Sequence, residues 1–217
     1  MKKFVLLLIC GCLIISSHAQ DEGLTFYLPF DQGAKAEKAI GDPNPLLDPP
    51  YGTIIPGIKG NAVLFNTGNV LRYFTKDNYD NACGSLELWI KYDGMPEKGR
   101  YVFMEGRKES EKTHLHISYN IGWKCLVCNH ASGLYSKVSL PLEKILGTWS
   151  HFVITWDKDI GTRYYLNGRS VPYTGHSGFR GPVLNYKRES RMAETFSVGP
   201  RGSKNKNRKM AIDELKI

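Results

Sequence analysis

Residues 114–128 have the sequence HLHISYNIGWKCLVC, in which apolar and polar side chains alternate on both sides of Asn120-Ile121-Gly122. Gly122 can adopt the positive φ that a tight turn needs. Because successive residues of a strand point to opposite faces, this stretch predicts a β-hairpin with one apolar face.

The register of this hairpin decides which side chains share its less apolar face. With Asn120 opposite Trp123, the apolar residues between Leu115 and Cys128 collect on one side. A slip of one residue would exchange the faces and bury the histidines. We therefore expect four residues to lie together on the less apolar face: His114, His116, Trp123 and Cys125.

The same alternation recurs outward from this hairpin in both directions. The segments are short, rich in aromatic and β-branched residues, and bounded by Gly, Asn, Asp or Pro. Asn167-Gly168 marks a second hairpin, and only Pro141–Leu146 has a helical pattern. The predicted strands are Thr25–Phe30, Ala62–Asn66, Val70–Thr75, Leu86–Tyr92, Tyr101–Met104, His114–Tyr119, Trp123–Asn129, Tyr135–Leu140, Phe152–Trp156, Arg163–Leu166, Thr195–Val198 and Ala211–Ile217. This spacing predicts an all-β antiparallel sandwich or barrel.

Two segments lack the strand pattern. Gly41–Gly57 holds five of the eleven prolines, and proline donates no hydrogen bond to a sheet, so we expect a surface loop or a sheet edge there. Gly175–Arg191 is the second long irregular stretch. Long loops on a rigid sheet are where recognition usually occurs.

Length and composition indicate one globular domain. The chain has 217 residues, of which 41% are hydrophobic and 23% charged, which excludes a disordered or collagen-like chain. The formal net charge is +8, and nine of the 29 basic residues lie between Arg180 and Lys209. Such a local excess indicates a binding face more than general solubility. No known nucleic-acid-binding motif accompanies this basic segment, so we expect no nucleic-acid partner.

The N-terminus predicts an export signal over residues 1–19 and a mature domain over residues 20–217. Lys2 and Lys3 precede the apolar run Phe4–Ile15, and small residues follow at 17–19. The run is too short to remain as a transmembrane helix. We therefore expect a secreted or cell-envelope protein, with lipidation at Cys12 as the alternative.

Three cysteines remain after removal of that signal. Cys125 and Cys128 lie three apart on a predicted strand and so point to opposite faces, which disfavours a disulfide between them. Cys83 with Cys128 is the more plausible pair if any disulfide forms.

Several motifs resemble, in order, those of laminin-G-like, concanavalin A-like jelly-roll domains of exported proteins. The similarity covers nearly all of Gly23–Ile217. The resemblance implies two antiparallel sheets with adjacent first and last strands. It also implies binding of a sugar or a protein more than catalysis of a reaction. The motifs are YLPFD at 27–31, PGIKGNAVLF at 56–65, GSLELWIK at 84–91, GTWSHFVITWD at 147–157, YLNG at 165–168 and AIDELKI at 211–217.

An enzymatic role finds little support in the residues. Glycosidases need two neighbouring carboxyl groups, and glycan-cleaving relatives carry Glu-x-Asp-x-x-Glu on one strand. Glu87 lies on a suitable strand, but Trp89 occupies its partner position. The sequence has no Gly-x-Ser-x-Gly and no His-Glu-x-x-His. We expect that this protein is not an enzyme; the alternative is that it is a glycosidase or a polysaccharide lyase.

A glycan site is expected on polar sheet faces. Trp89 shares a strand face with Glu87 and Lys91, which suits stacking on a sugar ring, but the tryptophan position that the resemblance implies favours burial of Trp89 beneath a covering loop. The predicted ligand-binding residues are Trp89, His114, His116 and Trp123. Zinc held by His114, His116 and Cys125 is an alternative use of the histidines, although His130, the candidate fourth ligand, falls on the opposite face by alternation. A solvated face is the simpler interpretation.

Two further ligands are expected elsewhere. A basic tip can bind sulfated or uronic polysaccharides through charge, and its residues are Arg201, Lys204, Lys206, Arg208 and Lys209. The resemblance also places Asp31 and Asp213 where relatives hold a structural calcium, although no cofactor is required. The sequence thus predicts an exported, non-enzymatic recognition domain that binds carbohydrate, with a protein-interaction role in the cell envelope as an alternative.

Overall fold

The computed structural model describes residues 23–46, 51–66, 68–80, 83–93, 100–107, 115–130, 134–157, 161–177, 193–200 and 209–217. Within these ranges the chain forms sixteen strands and a short 3-10 turn at Leu142–Lys144, inside the predicted helical segment. The strands are β1 Phe26–Leu28, β2 Lys38–Ala39, β3 Thr53–Pro56, β4 Asn61–Asn66, β5 Leu71–Phe74, β6 Cys83–Tyr92, β7 Arg100–Arg107, β8 Leu115–Asn120, β9 Cys125–His130, β10 Leu134–Ser139, β11 Ser150–Asp157, β12 Gly161–Leu166, β13 Arg169–Ser170, β14 Tyr173–Ser177, β15 Thr195–Val198 and β16 Lys209–Lys216.

The strands form two antiparallel sheets. The first sheet has the order β13-β12-β11-β6-β16-β1-β2, and the second has the order β14-β10-β9-β8-β7-β15-β5. The last strand, β16, lies inside the first sheet: it pairs with β6 on one side and with β4 and then β1 on the other. The predicted all-β jelly-roll architecture and the adjacency of the first and last strands are therefore confirmed.

The inner faces of the two sheets enclose an aromatic core. Phe26 of the first sheet packs edge-on against Tyr73 and Phe196 of the second, with ring centroids 4.9 and 5.3 Å apart. All three rings are fully buried. Aromatic pairs in this geometry are worth about 0.5–1.5 kcal/mol beyond the area that they bury. The core therefore fixes how one sheet lies on the other.

A buried tyrosine hydroxyl group on β12 of the first sheet forms hydrogen bonds to the second sheet. The hydroxyl of Tyr164, on β12, donates to the carbonyl oxygen of Ser136 at 3.0 Å and lies 2.5 Å from its Oγ. It also accepts the backbone N–H of Cys128 at 3.1 Å. Buried polar groups need such partners, so this inward tyrosine satisfies three groups of the opposite sheet.

The hairpin of residues 114–128 forms with a longer turn than predicted. Asn120 pairs with Cys125 rather than Trp123, and residues 121–124 make the turn. Because the register moves by an even number of residues, the predicted faces are kept. The apolar face contributes Ile117, Tyr119, Leu126 and Cys128 to the core.

The proline-rich segment supplies an edge. β3, with Pro56 at its end, pairs with β4 in the part of the chain that the structure describes. This fits the expectation for Gly41–Gly57, because a proline at an edge interrupts no ladder of hydrogen bonds. The segment predicted to be irregular from Gly175 begins inside β14, which the sequence pattern missed.

The predicted disulfide between Cys83 and Cys128 is absent from the structure. Cys83 is exposed at the start of β6 in the first sheet, whereas Cys128 is buried on the inner face of the second. Burial raises the pKa of the Cys128 thiol far above its ordinary value. A thiol in that environment is inert, so Cys128 acts as a small core residue.

Candidate functional site

Five neighbouring strands of the first sheet place one residue each in a line across the outer face. We call this line the transverse row. Register pairs these residues in succession, and each is half-buried: Tyr165 on β12, Val153 on β11, Glu87 on β6, Lys216 on β16 and Tyr27 on β1. Four spacings of about 4.8 Å separate its two tyrosines, so the row is about 19 Å long.

A bulge in β16 brings Lys216 into this row. Asp213 pairs with Trp89 and Lys216 pairs with Glu87, so three steps on β16 match two steps on β6. The extra residue is Glu214, whose φ is 50°. A bulge of one residue exchanges the faces of the residues that follow. As a result Leu215 enters the core and Lys216 joins the outer face.

Trp89 lies beside the row, next to His151. The two rings are 4.9 Å apart at their centroids and tilted by 34°. Trp89 is half-buried rather than covered, and its neighbours Leu88 and Ile90 fill the core. The prediction that Trp89 shares the polar face with Glu87 and Lys91 is therefore confirmed in its geometry. Trp149 extends this surface, with Lys91 Nζ 5.7 Å from its ring centroid.

Glu87 has two nitrogen partners at the centre of the row. Lys216 Nζ lies 3.1 Å and His151 Nε2 3.2 Å from the same oxygen, Oε1. Burial acts to raise the pKa of Glu87, but the hydrogen bond and charge of Lys216, followed by those of His151, lower it below its ordinary value. A carboxyl group that stays ionised is a hydrogen-bond acceptor and a poor general acid.

The end of the row at β1 carries a second polar group. The hydroxyl of Tyr27 donates to both carboxylate oxygens of Glu214, at 2.8 and 3.0 Å. Lys59 Nζ lies 3.7 Å from Glu214 Oε2, and Lys216 Nζ lies 5.9 Å from the Tyr27 ring centroid. Burial and the neighbouring Glu214 raise the pKa of Tyr27 well above its ordinary value, so this phenol stays protonated.

The lowered pKa of Glu87 predicts a contribution to acid stability. A carboxyl whose pKa is lower in the folded state stabilises the fold above its ordinary pKa of about 4.3, and that contribution is lost as the pH falls further. We expect Glu87→Gln to have a lower free energy of unfolding than the wild type at about pH 7. At about pH 3 the difference in free energy of unfolding between the two proteins should be smaller. Urea denaturation at both pH values measures this change. The exposed Glu143→Gln variant is the charge-matched control, and equal pH dependence of both variants would contradict the assignment.

The predicted ligand-binding residues do not form one site. Trp89 lies on the outer face of the first sheet, whereas His116 and Trp123 belong to the β8–β9 hairpin of the second. The outer faces of two packed sheets point away from each other, so one small ligand cannot contact both. Trp123 lies in the turn, 49% exposed, with Lys137 Nζ 5.4 Å from its ring centroid. His114 lies outside the described residues.

The other predicted sites are placed only in part. Of the basic tip, Lys209 is exposed at the start of β16, and Arg201, Lys204, Lys206 and Arg208 lie outside the described residues. Cys125, one of the candidate ligands in the zinc alternative, is buried. No cluster of three acidic, histidine or cysteine side chains that could hold a metal occurs in the described ranges. The polyanion site therefore stays a prediction.

Asp31 and Asp213 meet the same loop, but through hydrogen bonds from N–H groups. Asp213 is fully buried; its Oδ2 accepts the N–H groups of Ile58 and Lys59 at 2.7 and 3.2 Å, and its Oδ1 that of Glu214 at 2.8 Å. Asp31 Oδ1 accepts the N–H of Asn61 at 2.7 Å. Calcium needs several oxygen ligands in its shell, and both carboxylate oxygens of Asp213 already accept N–H groups. The calcium site therefore stays a prediction.

Sequence reasoning missed several members of this surface, among them Tyr27, His151, Tyr165 and Lys216. Alternation within β11 and β12 would have placed His151 and Tyr165 on the outer face, because Phe152 and Tyr164 point inward. That signal was available. Lys216 could not have been found this way, because the Glu214 bulge breaks the alternation of β16.

Taken together, the two sheets and the aromatic outer face define a lectin-like β-sandwich. The chain belongs to the concanavalin A-like lectin/glucanases superfamily, whose family model matches residues 65–197. This confirms the resemblance in the sequence. No curated protein matches the chain. No helix in the described ranges is long and apolar enough to cross a bilayer.

Several solved structures share the fold. The binding domain of Paraclostridial Mosquitocidal Protein 1 is 16% identical, with a TM-score of 0.65, covering 90% of this chain and 48% of that one. The binding domain of Botulinum Neurotoxin DC in complex with SialylT is 12% identical, with a TM-score of 0.67 and coverage of 91% and 47%. Domain 4 of AbnA, a GH43 extracellular arabinanase from Geobacillus stearothermophilus in complex with arabinotriose, is 20% identical, with a TM-score of 0.57 and coverage of 89% and 90%.

Coverage separates these neighbours. The chain spans about half the length of the toxin binding domains that it matches, but nearly the whole of the arabinanase domain. At these levels of identity the likeness shows the fold alone, and function has to be argued from the residues.

Proposed function

We propose that this chain is an exported, non-enzymatic carbohydrate-binding domain whose site is the outer face of the first sheet. The observation that carries the proposal is the half-buried Trp89–His151 pair beside the transverse row. A sugar ring presents C–H groups on its faces and hydroxyl groups around its rim. Aromatic faces next to an ionised Glu87 and a Lys216 ammonium offer partners for both.

Two lines of comparison support this class of ligand. Domain 4 of AbnA, which matches this chain over nearly its whole length, was solved with arabinotriose. Botulinum Neurotoxin DC was solved with SialylT, but there this chain matches about half of the binding domain. The arabinanase domain is therefore the better comparison for this chain. On that basis we propose a carbohydrate as the class of ligand.

Export is the second part of the proposal. Its support is the positively charged and apolar segment at residues 1–19, followed by a domain whose fold is similar to that of domain 4 of an extracellular arabinanase. N-terminal sequencing of the protein from the native cells is expected to begin near Gln20. An acylated Cys12 would show a lipid anchor instead.

The test is polysaccharide binding by the wild type and by two tryptophan variants. Affinity electrophoresis in gels containing arabinan, β-glucan, xylan, mannan or heparin identifies a retained polysaccharide. We expect Trp89→Ala to weaken retention by at least about tenfold, which corresponds to about 1.4 kcal/mol. Trp123→Ala, which removes an exposed tryptophan of the other sheet, is the matched control and should bind as wild type does.

The outcomes separate the alternatives. Loss of retention in Trp123→Ala alone would move the site to the second sheet. Retention of no polysaccharide would overturn the carbohydrate function and favour a protein partner. Release of reducing ends from a retained polysaccharide would show a glycan-cleaving enzyme.

A further inference from the structure

We infer that the transverse row binds an internal segment of an extended, uncharged polysaccharide that lies across the strands. This inference rests on the proposed function and names the ligand class of the same site. Three features carry it: the repeat of half-buried side chains across the sheet, the compensation of charge along the row, and an aromatic ring near each end.

The repeat across the sheet favours a long ligand. Every strand from β12 to β1 contributes one half-buried side chain, so contacts recur at the strand spacing of about 4.8 Å. Successive sugars of a chain that follows the row meet successive strands. Each added sugar then gains a further contact, up to the length of the row. A site built for one terminal sugar would instead gather its contacts around a single position.

Charge along the row favours an uncharged ligand. The carboxylate of Glu87 is paired with Lys216 and His151, and that of Glu214 with Lys59 and Tyr27. Each of these two carboxylates therefore has a nearby cation, so neither presents an unpaired negative charge to the ligand. A chain of neutral sugars can exchange hydrogen bonds with these groups without leaving a desolvated charge unpaired.

Glu87 retains the capacity to accept a hydroxyl group. Both Lys216 and His151 contact Oε1, and within the described ranges Oε2 has no hydrogen-bond partner. The side chain is 35% exposed. An ionised carboxylate accepts hydrogen bonds from hydroxyl groups at about 2.5–2.7 Å and more strongly than a neutral acceptor does. The centre of the row thus fixes one hydroxyl, and the rings on either side provide apolar contact.

The two tyrosines place an aromatic ring on each side of Glu87 in the row. Tyr165 and Tyr27 lie about 19 Å apart, on β12 and β1. Tyrosine offers a large rigid contact at a low cost in side-chain entropy. Because Tyr27 also holds Glu214 through its hydroxyl group, the ring and the hydroxyl have to be tested separately.

The experiment measures affinity against ligand length. The probes are oligosaccharides from disaccharide to octasaccharide, prepared from the polysaccharide that the wild type retains, and titrated by calorimetry. We expect Kd to fall at least about tenfold across the series and then level off. Tyr165→Ala and Tyr27→Ala should each remove most of that gain, whereas Tyr27→Phe, which keeps the ring, should retain it.

The controls address chain ends and charge. The octasaccharide with a chemically reduced end should bind as the unmodified octasaccharide does, and Kd should change little with salt. Equal Kd for disaccharide and octasaccharide, loss of binding after end reduction, or a steep salt dependence would each overturn the inference while leaving carbohydrate binding intact. A wild type that retains no polysaccharide overturns the proposed function as well as this inference.

Discussion

Replacing Phe196 by alanine is expected to lower the free energy of unfolding by about 3–5 kcal/mol. Phe196 is fully buried, and its ring lies 5.3 Å from that of Phe26 and 5.4 Å from that of Tyr73. Truncation removes the apolar surface of the ring and leaves a cavity between the sheets. The contact with Phe26 crosses from one sheet to the other, so the surrounding residues cannot close the cavity without moving a sheet.

Urea denaturation measures this loss, and Phe74→Ala provides the control. Phe74 lies on the neighbouring strand β5 and is 43% exposed, so its truncation should cost less than about 1 kcal/mol. Phe196→Leu, which keeps most of the apolar volume, should lie between the two. Equal losses for Phe196→Ala and Phe74→Ala would show that the core does not depend on this ring. An unchanged m-value would confirm that the variants unfold from the same compact state.

The fold was predictable from the sequence because alternation is a local signal. In the β8–β9 hairpin an error of two residues in the turn left Ile117 and Tyr119 on the correct face, since side chains in a strand repeat every two residues. Short strands beyond the predicted set were missed for the opposite reason. β2 and β13 have two residues each, too few to show a period.

The candidate site was predictable only within single strands. Trp89 and Glu87 share a face of β6, and alternation shows this directly. Which residues of other strands meet them depends on sheet order and register, and the Glu214 bulge changes both the register and the exposed face of β16. For the same reason the sequence could not show that Trp89 belongs to a different sheet from His116 and Trp123.

Replacing Asp213 by alanine is expected to lower the free energy of unfolding by about 2–4 kcal/mol, because buried donors lose their acceptor. The fully buried carboxylate accepts three backbone N–H groups, those of Ile58, Lys59 and Glu214. These bonds tie the 57–60 loop to the bulge of β16. Burial raises the pKa of Asp213 even though the N–H donors favour the ionised form. The three bonds therefore offset only part of the cost of burying the carboxylate.

The 57–60 loop offers a matched control in Asp31→Ala. Asp31 is exposed and accepts the N–H of Asn61, so water can replace its carboxylate and the loss should stay below about 1 kcal/mol. Denaturation in the presence of calcium and of EDTA then distinguishes hydrogen bonding from metal binding. Hydrogen bonding predicts the same wild-type stability in both. A wild type stabilised by calcium, with that gain lost in both aspartate variants, would instead establish the calcium site that the sequence resemblance suggests. Since the Glu214 bulge also places Lys216 beside Glu87, Asp213→Ala should in addition weaken carbohydrate binding.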